Sequence, residues 1–367
     1  MFCRPRFVLA AALFFAAAAA QDYDAMSPDE LAAAAAEEGE VVVYSFTSRI
    51  FDVETAFEAR YPEVDLVPFD ISSTEQITRI ASEEQAGVRN ADVAYLSDAP
   101  VVLENLVAPD YLTGYVPPSF ASRVSSRYRD PLLAHRLSTK VLMYNEAAHP
   151  DGAPVTNLWE LTTDAWRGRV IMVDPLVRGD YLDLMTEIAL HDEEMAAAFE
   201  AQFGEPLGEA DAGERFIEAL FANDLILVNN TDEVNAAVGA LGQDAPPVGF
   251  TSYSDRRDNE EEGWALQIAN DVTPVAGIVF PAYLGVVGSA PHPAAARLLI
   301  TFMMGDDSDT GGPAVEPFYV PGDYLTRTDL EPHPDAVPLA ELSAWQIDPL
   351  GTLIVRQEVA DLILLLQ

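Results

Sequence analysis

Residues 39–49 read GEVVVYSFTSR, an apolar run that passes directly into a polar loop. The four residues from Val41 to Tyr44 show no alternation of polar and apolar side chains, which is typical of a strand buried on both faces. The segment from Asp52 to Tyr61 then carries apolar side chains at helical spacing. A strand, a loop and a helix in this order predict the first unit of an α/β fold with a parallel sheet.

The same order recurs along most of the chain. We predict further strands at 64–69, 92–96, 140–144, 168–173, 225–228, 248–250 and 277–287, and helices at 27–38, 72–81, 157–161, 182–188, 234–241 and 293–304. No linker rich in Gly, Pro or Ser divides the chain, so two lobes would have to share continuous strands. The Pro-rich stretch 316–338 matches neither a helical nor a strand pattern.

The composition excludes several classes of function. The chain has 367 residues, 49% of them hydrophobic, and a formal net charge of −40. Such a charge repels nucleic-acid phosphates and anionic lipid headgroups, which argues against nucleic-acid binding and binding to a membrane surface. Lys140 is the only lysine, and the other 19 basic residues are arginines.

The N-terminus predicts export. Arg4 and Arg6 precede an apolar segment at 7–20, and the small residues at 18–20 provide a cleavage site before Gln21. The alternative, an uncleaved anchor, is less consistent with the short apolar segment, because a spanning helix needs about 20 residues. We therefore expect a periplasmic protein whose signal peptide covers residues 1–20. Cys3, the only cysteine, lies in that signal, so the mature chain has no thiol for a disulfide or a thiolate metal site.

The common catalytic and cofactor motifs are missing. The chain contains no His-Glu-x-x-His, no Gly-x-Ser-x-Gly, no phosphate-binding Gly-x-x-x-x-Gly-Lys and no dinucleotide-binding glycine motif. The five histidines are dispersed, and we expect each to be a surface residue: His135, His149, His191, His292 and His333. We predict a binding protein without catalytic residues, cofactor or resident metal.

Four predicted strands end in Ser/Thr-rich segments that begin helices. The polar residues of these loops are Ser48, Ser73, Thr74, Asp98, Thr231 and Asp232. Ligands of open α/β sheets bind beyond the carboxyl ends of the strands, where helix N-termini favour anions. Helix capping uses the same residue types, so both interpretations stay open for each loop.

Two arginines favour the binding interpretation. Arg49 and Arg178 each lie in a strand-to-helix loop, one in each half of a chain with few cations. A guanidinium can bind an oxyanion through two parallel hydrogen bonds. The alternative is that each arginine pairs with one of the abundant carboxylates.

A family resemblance extends over most of residues 40–305. The first strand and loop, the segments WEL at 159–161, WRGRV at 166–170 and DP at 174–175, and the helix start APHPAAAR at 290–297 resemble the family 1 extracellular solute-binding proteins of ABC importers. The similarity is to the branch that binds ferric iron or sugar phosphates.

The resemblance implies a type II periplasmic-binding-protein fold, α/β, with two doubly wound lobes joined by crossing hinge strands and a ligand cleft between them. The crossing strands would be Leu137–Asn145 and Gly277–Val287. Lobe 1 would comprise residues 21–138 and 275–367, with a C-terminal tail that contacts both lobes, and lobe 2 residues 139–274. The expected partners are a small-molecule ligand and an ABC permease of the inner membrane, with the protein as a monomer.

The expected ligand is a small anion, such as a sugar phosphate or an organic acid. Arg49 and Arg178 would bind the anionic group, and Asp232, Tyr253 and Asp98 would bind hydroxyls. Ferric iron is the alternative ligand, with Tyr181 and Tyr253 as candidate metal ligands, although one or two phenols and a nearby arginine fit the ion poorly. Alternatives from other classes are an exported hydrolase and a sensor subunit that passes its ligand to a receptor.

Overall fold

A computed structural model describes the chain over residues 22–208 and 211–367. The predicted signal peptide and Cys3 lie outside these ranges. The described helices are α1 (Pro28–Glu38), α2 (Ile50–Arg60), α3 (Ser73–Ala86), α4 (Ala99–Val102), α5 (Gly179–Leu190), α6 (Asp192–Phe203), α7 (Ala212–Ala222), α8 (Thr231–Gly239), α9 (Asn259–Glu262), α10 (Pro293–Met303) and α11 (Pro349–Leu366). None of these helices is both long and apolar enough to span a bilayer.

The strands form one mixed sheet. They are β1 (Glu40–Ser45), β2 (Asp65–Asp70), β3 (Val93–Leu96), β4 (Leu112–Thr113), β5 (Leu133–Asn145), β6 (Val170–Val173), β7 (Ile226–Val228), β8 (Val248–Thr251), β9 (Leu266–Ile268), β10 (Gly277–Val287), β11 (Tyr324–Leu325) and β12 (Ala344–Gln346). The main order is β2-β1-β3-β10-β5-β8-β6-β7. This order contains a first parallel block (β2, β1, β3) and a second parallel block (β8, β6, β7).

Two long antiparallel strands join the blocks. β10 pairs with β3 of the first block and with β5, and β5 pairs with β8 of the second block. The predicted crossing strand Gly277–Val287 is β10 itself, whereas β5 begins at Leu133, four residues before the predicted Leu137. The predicted lobe boundary at 138/139 lies inside β5, and the lobe assignment stays a prediction.

Burial explains the sequence pattern of β1. Val41 and Val43 pack in a core with α1, α2 and α10, while Val42 and Tyr44 pack on the other face of the sheet against α3. All four side chains are buried because helices cover both faces. The predicted N-cap of α1 is also confirmed: Ser27 accepts a hydrogen bond from Glu30 N and Pro28 is the first helical residue.

The expectation of an exposed His135 is wrong. Because β5 starts at Leu133, His135 lies within the strand and is 2% exposed. Its Nδ1 lies 2.9 Å from Tyr95 Oη. Burial, together with the neighbouring Arg136, lowers the pKa of His135 to about 3, so the ring is neutral in the core.

The C-terminal helix α11 contacts helices from both parallel blocks. α11 packs mainly on α5 and also touches α4 and α7. Its Arg356 donates to Asp183 Oδ1 at 2.7 Å, to Gly179 O at 3.2 Å and to Asp98 Oδ1 at 3.5 Å. Asp98 follows β3, whereas Asp183 lies on α5. A Cβ at residue 179 would overlap the Asp98 carboxylate, so this close approach requires glycine.

We expect this contact to make stability depend on pH. Burial raises the pKa of Asp183 to about 8, since Arg356 only partly offsets it and Asp98 and Asp180 add repulsion. The folded state therefore holds this proton more tightly than the unfolded state, where the pKa is about 3.9, and the contribution to stability is lost as pH rises through 8. Between about pH 5 and about pH 8.5, urea unfolding should show the wild type losing about 1–3 kcal/mol more than Asp183→Asn.

The control for this prediction is Asp361→Asn, which removes an exposed carboxylate of α11. It should follow the wild-type pH dependence. Parallel stability curves for the wild type and Asp183→Asn would contradict the assignment.

Candidate functional site

The floor of one strongly polar cavity is a face of β5. Arg136, Ser138 and Lys140 alternate along the strand, so their side chains point to the same side of the sheet. The cavity has a volume of about 230 Å³. Because β5 joins the two blocks, this face lies where loops from both blocks converge.

Both parallel blocks contribute walls. From the first block come the loop after β1 and the last residue of β2: Phe46, Thr47, Ser48, Arg49 and Asp70. From the second block come the starts of α5 and α8 and the segment after β8: Arg178, Asp180, Asn230, Thr231, Asp232, Ser252, Ser254, Asp255 and Arg257. The walls therefore lie at the carboxyl ends of β1, β2, β6, β7 and β8, as expected for ligand sites in α/β sheets.

A carboxylate from the C-terminal region holds two of the guanidinium groups. Asp323 accepts from Arg49 Nη1 at 2.6 Å and from Arg136 Nη1 at 2.5 Å, and its side chain is fully buried. Burial alone would raise the pKa of Asp323, but Arg136 and Arg49 lower it below the usual value. Asp323 is therefore ionised and fixes both arginines in place.

A second buried carboxylate, Asp180, also holds two cationic side chains in place. Asp180 Oδ2 lies 3.0 Å from Lys140 Nζ and 3.0 Å from Arg178 Nη2. Against the effect of burial, Arg178 and Lys140 hold the pKa of Asp180 well below its ordinary range. Lys140 also donates to Ser252 Oγ at 2.7 Å, which ties β5 to the segment after β8.

Two cationic side chains remain accessible from the cavity. Arg178 is 26% exposed and Arg257 is 28% exposed, while Arg136 and Lys140 are 3% exposed or less. Arg257 pairs with Asp255 at 2.9 Å and with Asp258 at 3.1 Å. Arg178 and Arg257 are thus the guanidinium groups that a bound solute would meet first.

The structure brings five of the predicted binding residues to this cavity. Ser48 and Arg49 line it from the first block, and Arg178, Thr231 and Asp232 line it from the second block. Two arginines from different halves of the chain therefore share one cavity. Arg49 also pairs with Asp323, so the alternative prediction, that the arginine is bound to a carboxylate of the chain, applies to Arg49 as well.

The other four predicted residues do not line the cavity. Ser73 Oγ accepts from Ser97 N at 2.9 Å, and Thr74 Oγ1 donates to Asp98 Oδ2 at 3.3 Å. Asp98 also faces Arg356. Tyr253 is 1% exposed, and its hydroxyl accepts from Val337 N at 3.2 Å. These polar groups are already used by internal contacts, which explains why the loop pattern alone misplaced them.

The tyrosines proposed for the iron alternative point elsewhere. The Tyr181 ring lies beneath the Lys140 ammonium, with 5.0 Å between Nζ and the ring centroid. Burial, with repulsion from Asp180, raises the pKa of the Tyr181 hydroxyl, which opposes the phenolate form that iron requires. Neither Tyr181 nor Tyr253 lines the cavity. Within the described ranges, His, Cys, Asp and Glu also form no group of three suited to a metal ion.

Sequence reasoning missed the floor of the site. Arg136, Ser138 and Lys140 occupy every second position of β5, but the neighbouring His135 and Thr139 are polar too, so no alternation of polar and apolar residues marked this face. The segment after β8 was predicted only through Tyr253, although Ser252, Ser254, Asp255 and Arg257 are the residues that line the cavity.

Comparison with known proteins identifies the fold. No family model matches the chain, and no curated protein matches it. Solved structures do. The iron-bound HitA from Pseudomonas aeruginosa aligns with a TM-score of 0.68 and 18% identity over 89% of this chain and 99% of that chain. The chain has the type II periplasmic-binding-protein fold.

Two further structures show the same fold. The periplasmic binding protein AfuA from Actinobacillus pleuropneumoniae, with fructose-6-phosphate bound, has a TM-score of 0.65 and 18% identity over 88% of this chain and 97% of that chain. The substrate-binding protein of an ABC transporter from Agrobacterium tumefaciens has a TM-score of 0.62 and 16% identity, covering 88% and 94%. In this fold two lobes enclose a cleft.

Asp323 offers a direct test of the buried charge network. Asp323→Asn should lower the free energy of unfolding by about 3–5 kcal/mol, because it leaves two buried guanidinium groups without their carboxylate. Urea unfolding at neutral pH measures the change. Asp309→Asn, an exposed change in the same region, should cost less than about 0.5 kcal/mol. Equal costs for the two variants would show that the network contributes no stability.

Proposed function

We propose that the chain is the periplasmic substrate-binding protein of an ABC importer, which captures a small anionic solute between its lobes and delivers it to a permease. The main support is the clustering of cationic side chains in one cavity. Arg49, Arg136, Lys140, Arg178 and Arg257 line one cavity, although the whole chain has only 20 Lys and Arg among 60 Asp and Glu. Hydrogen-bond donors at the starts of α5 and α8 add to the attraction for an anion.

The role is one of binding and release, without catalysis. The structural neighbours are binding proteins, among them the substrate-binding protein of an ABC transporter. The cationic side chains are held by buried carboxylates in fixed positions, which suits recognition because little ordering is needed when the solute binds. Export through a cleaved signal peptide, a monomeric state and a permease in the inner membrane belong to the same proposal.

The cavity favours an organic anion over ferric iron. A hard trivalent cation requires several anionic oxygen ligands, yet the lining carboxylates Asp180 and Asp255 are already paired with cations, and in the part of the chain that the structure describes His, Cys, Asp and Glu form no group of three suited to a metal ion. The two candidate tyrosines contact Lys140 and Val337 instead. The iron-binding neighbours therefore support the fold of this chain and not its ligand.

The proposal predicts a bound anion that depends on Arg178. Native mass spectrometry of the freshly purified protein should reveal a small organic anion. Calorimetry with that anion should show about 30-fold weaker binding to Arg178→Gln, since losing one charge-assisted contact costs about 2 kcal/mol. Arg178 is suited to this test because Asp180 keeps Lys140 as a partner when Arg178 is removed.

Arg167→Gln is the matched control. It removes an arginine that is 51% exposed, pairs with Asp164 and does not line the cavity, so binding should be unchanged. Co-purified ferric iron, turnover of the recovered compound, or equal affinities of Arg178→Gln and wild type would each contradict the proposal.

A further inference from the structure

The charges of the cavity walls are nearly balanced. Each of the five cationic side chains that line the cavity is already paired with a carboxylate. The four carboxylates in these pairs are Asp180, Asp255, Asp258 and Asp323. One positive charge is left in excess. The single excess charge of these pairs is matched by one monoanionic group, whereas a multiply charged anion would retain uncompensated charge.

Two further carboxylates line the same cavity without a partner. Asp70 is the last residue of β2, and Asp232 lies in the first turn of α8. Neither carboxylate takes part in a hydrogen bond or ion pair with any residue in 22–208 or 211–367. They belong to different parallel blocks, so they reach the cavity from its two sides.

Asp70 and Asp232 restrict what can bind. An ionised carboxylate only accepts hydrogen bonds, so an acid group bound at Arg178 is repelled by both of them unless a donor lies between. A ligand ammonium group supplies donors and also neutralises the added negative charge. A plain acid of the same size leaves both carboxylates unpaired.

The total charge of the protein also favours a zwitterion over an anion. A formal charge of −40 creates a negative potential that slows the approach of every anion, particularly at low ionic strength. A zwitterion has no net charge and approaches without this repulsion. The cavity can then bind its two ends through local charges.

We propose that the ligand is a small zwitterion, an acid that also carries an ammonium group, with the acid group at Arg178 and Arg257 and the ammonium group between Asp70 and Asp232. This inference rests on the proposed function and narrows it to a class of solute. The cavity volume of about 230 Å³ corresponds to roughly eight water molecules at liquid density, which suits a molecule the size of an amino acid.

The test uses pairs of compounds that differ only in the amine. Calorimetry on the wild-type protein compares each of a set of α-amino acids with the corresponding carboxylic acid that lacks the amino group. In the pair that binds best, the aminated member should bind at least about tenfold more tightly, as expected for one additional charge-assisted contact.

Two variants locate the ammonium group. Asp70→Asn and Asp232→Asn should each reduce the preference for the aminated member by about fivefold to tenfold, while the plain acid binds as well as before or better. Asp65→Asn is the matched control, because it removes the same charge from the opposite end of β2. It should leave the preference unchanged.

The outcomes separate this inference from the proposed function. If plain acids bind as tightly as their aminated partners and Arg178→Gln still weakens them, the zwitterion is wrong and the anion-binding role stands. If the compound recovered by native mass spectrometry is an acid without an amine, the zwitterion is likewise wrong and the anion-binding role stands. If no acid of either kind binds at millimolar concentration, both proposals are wrong.

Discussion

The pairing of β5 with β10 is the constraint on which the rest of the structure depends. These two strands, Leu133–Asn145 and Gly277–Val287, carry the first parallel block on one side and the second on the other. A Cβ at Gly277 would collide with the backbone at Lys140, so the strands approach closely at the level of the cavity floor. Any shift of register by one residue would turn Arg136, Ser138 and Lys140 to the opposite face of the sheet.

The floor residues explain why the protein buries so many charges. Replacing buried ion pairs by apolar side chains often stabilises a protein. Stability alone therefore does not explain why Asp323 is buried with its two arginines and Asp180 with Lys140. Their value lies in position. Each carboxylate bridges two cations and holds them rigidly, so a solute meets an array of donors whose ordering was completed when the chain folded.

Most of the fold could be predicted from local patterns. The apolar run in β1, the helical spacing of α2 and the long apolar strand β10 are each determined by residues close in the sequence, and the alternation of these elements indicates the parallel blocks. The mixed order of the sheet and the extra length of β5 depend on pairing between distant segments. His135 was therefore expected at the surface.

The site was only partly predictable for a related reason. Arg49 and Arg178 lie in loops at the carboxyl ends of strands, and topology alone brings such loops together. The pairing of Arg49 with Asp323 joins residues 274 positions apart, and nothing near either residue indicates it. Ser73, Thr74 and Asp98 have the residue types and positions of a binding loop, but Ser73 pairs with Ser97, Thr74 donates to Asp98, and Asp98 also accepts from Arg356. Local sequence cannot distinguish a polar group that awaits a ligand from one that already has a partner.

The contacts of Asp98 give the site a link to lobe movement. Under the proposed function, opening of the cleft would separate the loop after β3 from the start of α5, where the Asp98 carboxylate lies against Gly179 and within reach of Arg356. Of the two carboxylate contacts of Arg356, the one to Asp183 on α5 is shorter than the one to Asp98, so we expect the Asp98 contact to break first. Arg178 and Asp180 flank Gly179, and they lie in the cavity wall. A movement that releases Asp98 therefore displaces the same helix start that presents Arg178 to the solute, which couples the opening of the cleft to the geometry of its main cation.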